Sequence, residues 1–270
     1  MPIPVPTESS CAVVTGASSG IGMAIAQELA RLGHNLVLVA RRAARLQRLA
    51  AQLAEQYGVR VEIAVCDLAD AEDRSDLIET LIGSEVSVLV NNAGVGTVGL
   101  FADADPVREA QELALNVVAV HELTLALLPP MVQRGRGAIL MTGSCAGNQP
   151  CPVQATYGAT KAFVNSLSES LFFELVDTGV TCTLLAPGPV RTEFAEIAEF
   201  GEVDDRLPDW AWVSAEQAAR EAIAGLIEGR RRVVPGGFAK AQTVAGRHVP
   251  ASLSGPLIRS TFQRLAGARP

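Results

Sequence analysis

Tyr157 and Lys161 lie four residues apart, a spacing that on a helix puts both side chains on one face about one turn from each other. Ser144 lies upstream, just past the apolar run Ala138-Ile139-Leu140-Met141 that reads as a strand end. A phenol, an ammonium and a hydroxyl brought together suit proton transfer to a carbonyl oxygen, with the hydroxyl orienting that oxygen as charge develops on it. A free phenol titrates near ~10, too high for efficient exchange at neutral pH, and a neighbouring ammonium favours the phenolate and lowers that value. The isolated spacing also occurs between accidental surface neighbours, so its meaning depends on the elements that hold it.

Those elements begin with Cys11-Ala12-Val13-Val14-Thr15, a short β-branched run that reads as a buried strand. Gly16-Ala17-Ser18-Ser19-Gly20-Ile21-Gly22 follows, then an amphipathic helix with Ile25, Leu29 and Leu32 on one face, stopped by Gly33, then a second strand at 35–39. This is a βαβ unit with a glycine-rich turn. Glycines let the backbone turn tightly and come close to a pyrophosphate, and the free N–H groups and dipole at the helix start attract that anion. A turn that needs glycine only for its geometry is the alternative. After Ala40 stand Arg41 and Arg42, with no acid at positions 39–43. In dinucleotide folds an acid here would hold a ribose 2′-hydroxyl, whereas an arginine accommodates a 2′-phosphate, so NADPH is expected over NADH. The plain alternative is a pair of solvated arginines.

Further along, a helix is expected over 44–57 with Leu46, Leu49 and Leu53 inward, and a strand over 59–65. Asp67-Leu68 sits just past that strand, where Asp67 either meets an adenine ring or caps a turn. A helix at 71–82 and a strand at 86–90 lead into Asn91-Asn92-Ala93-Gly94, whose asparagines can support the sheet ends. The next helical stretch, 107–128, is expected to end at Pro129-Pro130 and carries Asn116 and His121. His121 reads as structural. Asn116 is a buried amide that needs partners and is a candidate to hold a water or backbone group near the site. A strand at 138–142, a helix at 156–176 and a strand at 180–186 ending in Pro187-Gly188-Pro189 complete the alternation. The stretch 190–212 breaks the pattern and spreads Phe194, Phe200, Trp210 and Trp212, as a lid or binding loop with an apolar pocket would. Ser214 reads as the N-cap of a helix reaching about Gly229, before a last short strand at 232–235.

Strands alternating with helices imply an α/β fold: one doubly wound parallel sheet with helices on both faces, in a single domain. That domain is expected over 1–235, including the substrate loop 190–212, with an extension at 236–270. From Arg230 onward there are eight Lys or Arg and no Asp or Glu, interleaved with Phe238, Val244, Leu253, Leu257, Ile258, Phe262 and Leu265. Such a tail can pack over the substrate pocket, pair with another subunit, or lie on an anionic membrane surface.

Composition narrows the function classes. The chain has 270 residues, 49% hydrophobic and 19% charged, enough for a large core. A net charge of −7 and 4% aromatics argue against a nucleic-acid partner. Five cysteines without C-x-x-C spacing point to free thiols in a reducing compartment and to no metal site. No unbroken apolar run reaches the ~18 residues of a spanning helix, and the opening Met1-Pro2-Ile3-Pro4-Val5-Pro6 lacks a secretory pattern. The expected location is cytoplasmic, or peripheral to the inner membrane face.

With these pieces in order, the chain resembles the classical short-chain dehydrogenase/reductase family. The matching motifs are Thr15-Gly16-x-x-x-Gly20-Ile21-Gly22, Asp67, Asn91-Asn92-Ala93-Gly94, Asn116, Ser144, Tyr157-x-x-x-Lys161 and Pro187-Gly188, spanning about residues 11–192. The resemblance implies a Rossmann fold, NAD(P)-dependent carbonyl or alcohol chemistry, and a tetrad of Asn116, Ser144, Tyr157 and Lys161. It implies cofactor contacts at Gly16, Ser18, Ser19, Gly20, Ile21, Gly22, Arg41, Arg42, Asp67, Leu68, Asn92, Ala93, Gly94, Tyr157, Lys161, Pro187, Gly188, Val190 and Thr192. It also implies a homodimer or homotetramer paired through the long helices around Asn116 and Lys161. A finer match, on 159–165, 186–193 and 232–236, is similar to bacterial 3-oxoacyl and ketone reductases and to the actinobacterial branch containing mycolate reductases. A hydrophobic 3-oxoacyl substrate is expected. Some family members bind NADPH as sensors and lack part of the tetrad, whereas all four residues stand here.

Overall fold

The computed structural model describes residues 3–194 and 207–249. Its strands are β1 (Ser10–Thr15), β2 (Asn35–Ala40), β3 (Val61–Val65), β4 (Glu85–Asn91), β5 (Gly137–Thr142), β6 (Val180–Leu185), β7 (Val190–Arg191), β8 (Val213–Ser214) and β9 (Arg232–Val233). Its helices are α1 (Gly20–Arg31), α2 (Ala43–Tyr57), α3 (Ala71–Ile82), α4 (Pro106–Leu113), α5 (Val120–Arg134), α6 (Ala155–Glu174), α7 (Ala215–Ile227) and α8 (Gly237–His248). Seven strands form one parallel sheet in the order β3-β2-β1-β4-β5-β6-β9. Both faces of the sheet are covered, which is why its central strands read as near-continuous apolar runs. Along β1, Ala12 and Val14 enter a core with α1, α2 and α7, while Cys11 and Val13 enter one with α3, α5 and α6. The chain winds outward in both directions from β1 and β4, so a crevice opens between their carboxyl ends, where such folds place ligands.

Local signals account for most boundaries. Asp70 caps α3 by accepting from the N–H groups of Glu72 and Asp73, and Ser214 caps α7 by accepting from Gln217 N at 3.1 Å. The stretch expected to stop at Pro129-Pro130 does not stop there. α5 continues to Arg134 and ends at Gly135, whose φ is 62°. Met131 is fully buried against the sheet and holds the last turn in place, while Pro129 and Leu125, whose carbonyl the missing N–H would have met, face solvent. Between α4 and α5 the backbone widens into a π turn at Ala114–Ala119, which no residue pattern announced. Pro106–Arg134 is long and apolar enough to span a membrane by length and composition alone, but Leu123, Leu127 and Met131 pack it onto the sheet.

The loop expected to be irregular is closed at its stem. β7 pairs with β8, Asp209–Ala211 forms one 3-10 turn, and Arg191 pairs with Asp209. Phe200 lies outside the described residues. Of the C-terminal extension, α8 packs beside the turn Cys145–Asn148. There Gln242 Oε1 accepts from Cys145 Sγ at 2.9 Å, and Ala239 lies against Gly188. The tail's Leu253, Leu257, Ile258, Phe262 and Leu265 fall outside the described residues.

Candidate active site

The crevice is built first by Thr15 at the end of β1. Its hydroxyl donates to Val90 O at 3.1 Å and accepts from Asn92 N at 2.9 Å and Ala93 N at 3.0 Å. Asn92 Nδ2 in turn donates to Thr15 O at 3.0 Å. These bonds lock the turn after β4 to the glycine-rich turn after β1. Gly16 takes a φ of +67°, and a Cβ on Gly22 would stand 2.4 Å from Gly16 O, so no side chain fits at either place. Ser19 occupies the N-cap of α1 without a side-chain cap bond, and that first turn holds no acid. The exposed helix start is therefore an anion-seeking end, and with its tight glycine cradle it fits a dinucleotide pyrophosphate. Ile21 sits within the same first turn.

Beyond β2 the two arginines diverge. Arg41 reaches Asp67 Oδ2 at 3.5 Å, while Asp67 Oδ1 accepts from Ala69 N at 3.1 Å, which makes Asp67 a turn cap. Leu68 buries its side chain in the core. Arg42 folds toward the glycine-rich turn, donating to Ser18 Oγ at 3.0 Å and Ser19 Oγ at 2.7 Å. It also donates to Glu193 Oε2 at 2.8 Å, and Arg45 Nη1 binds the same carboxylate at 2.7 and 2.8 Å.

On the other side of the crevice stand the four residues read as a tetrad. Asn116, in the π turn, is fully buried. Its Nδ2 donates to Val95 O at 2.8 Å and to Thr160 Oγ1 at 3.1 Å, and its Oδ1 accepts from Val95 N at 3.0 Å. Both amide hydrogens are committed, and one Oδ1 lone pair stays open. A Cβ on Gly94 would meet Asn116 Oδ1 at 3.2 Å and Lys161 Nζ at 3.3 Å, so that glycine keeps the approach to both clear. Lys161 Nζ donates to Thr142 O at 3.0 Å and lies 5.7 Å from the centroid of the Tyr157 ring. Ser144 follows β5. Its backbone is pinned by Asn165, which donates to Ser144 O at 2.9 Å, and its Oγ accepts from Ala146 N at 3.1 Å.

Burial dominates the titration of the pair within the chain itself. Burial pushes the Tyr157 phenol up from its ordinary value, and the Ser144 hydroxyl opposes that rise. Burial pulls Lys161 down to about 8, with Glu112 acting the other way. The lysine spends its hydrogen bond on the Thr142 carbonyl, and desolvation outweighs any help it gives the phenol.

Pro187 O accepts from Cys145 N at 3.0 Å, and Gly188, Val190 and Thr192 carry the chain back across the crevice. A Cβ on Gly20 would stand 3.0 Å from Thr192 Cγ2, which places Thr192 over the glycine-rich turn. Of the aromatic residues expected to line a pocket, Phe194 does lie on Tyr157, at 5.6 Å between centroids. Trp210 and Trp212 do not join it. Trp210 is largely exposed against Phe238, and Trp212 sits under the Arg191 guanidinium. His121 packs on Phe163, as a structural residue would.

Sequence reading missed a second polar cluster beside the tetrad. Thr97 Oγ1 lies 2.7 Å from both Glu109 Oε1 and Glu112 Oε2, and Thr156 Oγ1 also donates to Glu109. One hydroxyl carries one proton, so Thr97 cannot fully satisfy both carboxyls. Glu112 is fully buried, and burial raises its carboxyl above the ordinary value. A cavity of about 200 Å³ opens beside Glu109, lined also by Val153 and Thr156. No residue pattern in the polar helix α4 announced it. The five cysteines are all free and buried, and burial raises every thiol: Cys11, Cys66 and Cys145 to about 11, Cys151 and Cys182 to about 12. Among the described residues no group of His, Cys, Asp or Glu could hold a metal.

Comparison with known proteins agrees with this arrangement. Residues 10–200 match the sequence model of the short chain dehydrogenases. The very-long-chain 3-oxoacyl-CoA reductase of Anas platyrhynchos is 36% identical over 193 residues, which cover 70% of this chain and 62% of that protein. Sulfoacetaldehyde reductase 2 of Chromohalobacter salexigens is 37% identical over 223 residues, 81% of this chain and 87% of that one. The structure of a short-chain dehydrogenase from Sphingobium yanoikuyae in complex with NADPH superposes with a TM-score of 0.78 at 32% identity, covering 97% of this chain and 96% of that one.

Proposed function

This chain belongs to the short chain dehydrogenase family, and from that premise we propose that it reduces a ketone to a secondary alcohol with NADPH, the substrate being a 3-oxoacyl lipid. The observation that carries the reading is the convergence of Ser144, Tyr157 and Lys161 at the crevice whose other wall is the uncapped start of α1 with Arg42 beside it. NADPH supplies the hydride. Gly16, Ser18, Ser19, Gly20, Ile21 and Gly22 would hold its pyrophosphate, Arg42 and Arg45 its 2′-phosphate, and Asn92, Ala93, Gly94, Pro187, Gly188, Val190 and Thr192 its nicotinamide half.

The chain's own groups do the proton work. Tyr157 gives its proton to the carbonyl oxygen as negative charge develops there, and Ser144 Oγ hydrogen-bonds the same oxygen and fixes its direction. The positive charge of Lys161, close to the phenol, favours the phenolate that is left. The open lone pair of Asn116 Oδ1 suits a water linking Lys161 to solvent. The pairing of Phe194 with Tyr157 supports an apolar substrate, as does the likeness to 3-oxoacyl-CoA reductases. A very long mycolate-type 3-oxo acid, or another hydrophobic ketone, is the finer alternative.

The test is NADPH oxidation with 3-oxoacyl thioesters of rising chain length, simple ketones, and sulfoacetaldehyde as a small anionic counter-case. Turnover that rises with chain length is expected. No oxidation with any member, or a kcat/KM that favours NADH, overturns the reading. Exposed Leu125 and Val132 on α5, with Phe173 on α6, support pairing of subunits through these helices in a homodimer or homotetramer. The location that goes with this chemistry is cytoplasmic. For the described part of the tail, the contacts of α8 with Gly188 and Cys145 support a place on the substrate side rather than on a membrane surface.

A further inference from the structure

Arg42 and Arg45 stand one turn apart at the start of α2 and converge on a single carboxylate, that of Glu193. Two serine hydroxyls complete the group: Arg42 donates to Ser18 Oγ from Nε at 3.1 Å and from Nη2 at 3.0 Å, and to Ser19 Oγ at 2.7 Å. Two guanidiniums on one anion, with two hydroxyls held beside them by Arg42, are what a phosphate monoester needs. Here the chain's own acid fills that place, and the two arginines hold the Glu193 carboxyl below its usual range. Glu193 is also delivered there. It follows Thr192, whose methyl group lies on Gly20 of the glycine-rich turn, so the carboxylate is tethered at high local concentration.

We propose that Glu193 is a specificity-determining residue, an internal competitor that a cofactor's 2′-phosphate must displace from Arg42 and Arg45. The inference rests on the NADPH reading above. A 2′-phosphate carries more charge than a carboxylate and offers three acceptor oxygens against two, so it wins the exchange. It cannot share the site, because the two anions would repel. The uncharged 2′-hydroxyl of NADH has nothing to exchange, so Glu193 keeps its ion pairs and NADH gains no contact with either arginine. Glu193 thus lowers the affinity for NADPH while leaving that for NADH alone, and it makes 2′-phosphate binding less steeply salt-dependent than two free arginines would.

The test is calorimetric titration of the full chain at low ionic strength with 2′,5′-ADP and with 5′-AMP, which differ only in the 2′-phosphate. Wild type is compared with Glu193→Gln and, as a second removal of the charge, Glu193→Ser. Because an exposed ion pair stabilises modestly, both variants should bind 2′,5′-ADP about three- to tenfold more tightly and 5′-AMP within about twofold of wild type. Unchanged or weaker binding of 2′,5′-ADP in both variants, with its advantage over 5′-AMP intact, overturns the competitor and leaves the NADPH reading standing. If 2′,5′-ADP has no advantage over 5′-AMP in any of the three proteins, the NADPH reading itself falls and takes the competitor with it.

Discussion

Asn116 grips Val95 on both sides of its peptide, accepting from its N–H at 3.0 Å and donating to its carbonyl at 2.8 Å. The π turn gives the helix room to aim a short amide at a backbone segment instead of along its own axis. The clamp fixes the strand of chain that runs from Gly94 past Gly96, whose added Cβ would stand 3.2 Å from Tyr157 Cδ2. Replacing Asn116 by Leu strands two half-buried backbone groups of Val95, each at the low end of about 1–3 kcal/mol, so urea unfolding should show a loss of about 2–3 kcal/mol. Asn116→Asp keeps the acceptor toward Val95 N but loses both donor bonds, to Val95 O and Thr160 Oγ1, and buries a carboxyl against a carbonyl, so it should lose at least as much as the Leu variant. A Leu variant as stable as wild type would remove the clamp from the account.

Tyr157→Phe tests the proton donor. It keeps the ring against Phe194 and deletes only the hydroxyl, so NADPH affinity should change by less than about threefold while kcat falls by at least about 10²-fold. Retention of wild-type turnover would assign the acid elsewhere.

Lys161 gives a stability signature with a definite sign. Its folded-state value of about 8 lies below the ordinary 10.5 because burial penalises the ammonium. That penalty is fully present below about pH 8 and disappears as pH rises toward 10.5, so Lys161 adds a climb to wild-type stability across this window, read as the difference from Lys161→Met because the raised thiols pull both proteins the other way. The gap corresponds to about 3 kcal/mol. Lys161→Met, inactive, should show no such climb. Parallel stability profiles of the two proteins between pH 7.5 and 10 would contradict the burial penalty.

His34 acts at the other end of the scale. It is 1% exposed, and neither ring nitrogen has a hydrogen-bond partner among the described residues. Burial pulls its pKa from 6.5 to about 4, so the folded state holds it neutral. Stability is then lost as pH falls through this range, by about 3 kcal/mol at its full extent. His34→Leu should flatten thermal stability between pH 6.5 and 4 and be more stable than wild type at pH 4. An equal acid loss in both proteins would place the sensitivity in other groups.

The residues announce the parts of the fold that local chemistry decides. β-branched runs became central strands, Ser214 became a cap, and the glycine-rich turn sits where strand meets helix because only glycine allows Gly22 to lie so close to Gly16. What stayed hidden is decided by contacts between distant positions. Pro129 and Pro130 looked like an end, but the burial of Met131 carries the helix past them. Arg45 and Glu193 are 148 positions apart, and nothing near either one announces their meeting. The lysine and an oxidised nicotinamide were expected to lower the tyrosine together, by charge. The depth of both groups, which spacing does not reveal, adds a burial penalty that raises the phenol and lowers the lysine. Trp210 and Trp212 share their loop with Phe194 but not its direction, because Phe238 and Arg191 draw them outward.

The depth of the five thiols has a practical corollary. With every sulfur sealed in and held protonated to pH values above 10, the folded chain should ignore maleimides and iodoacetamide and need no added reductant. One cysteine introduced at an open position such as Val5 would then be the lone handle for a fluorophore or spin label, with no native residue to delete first.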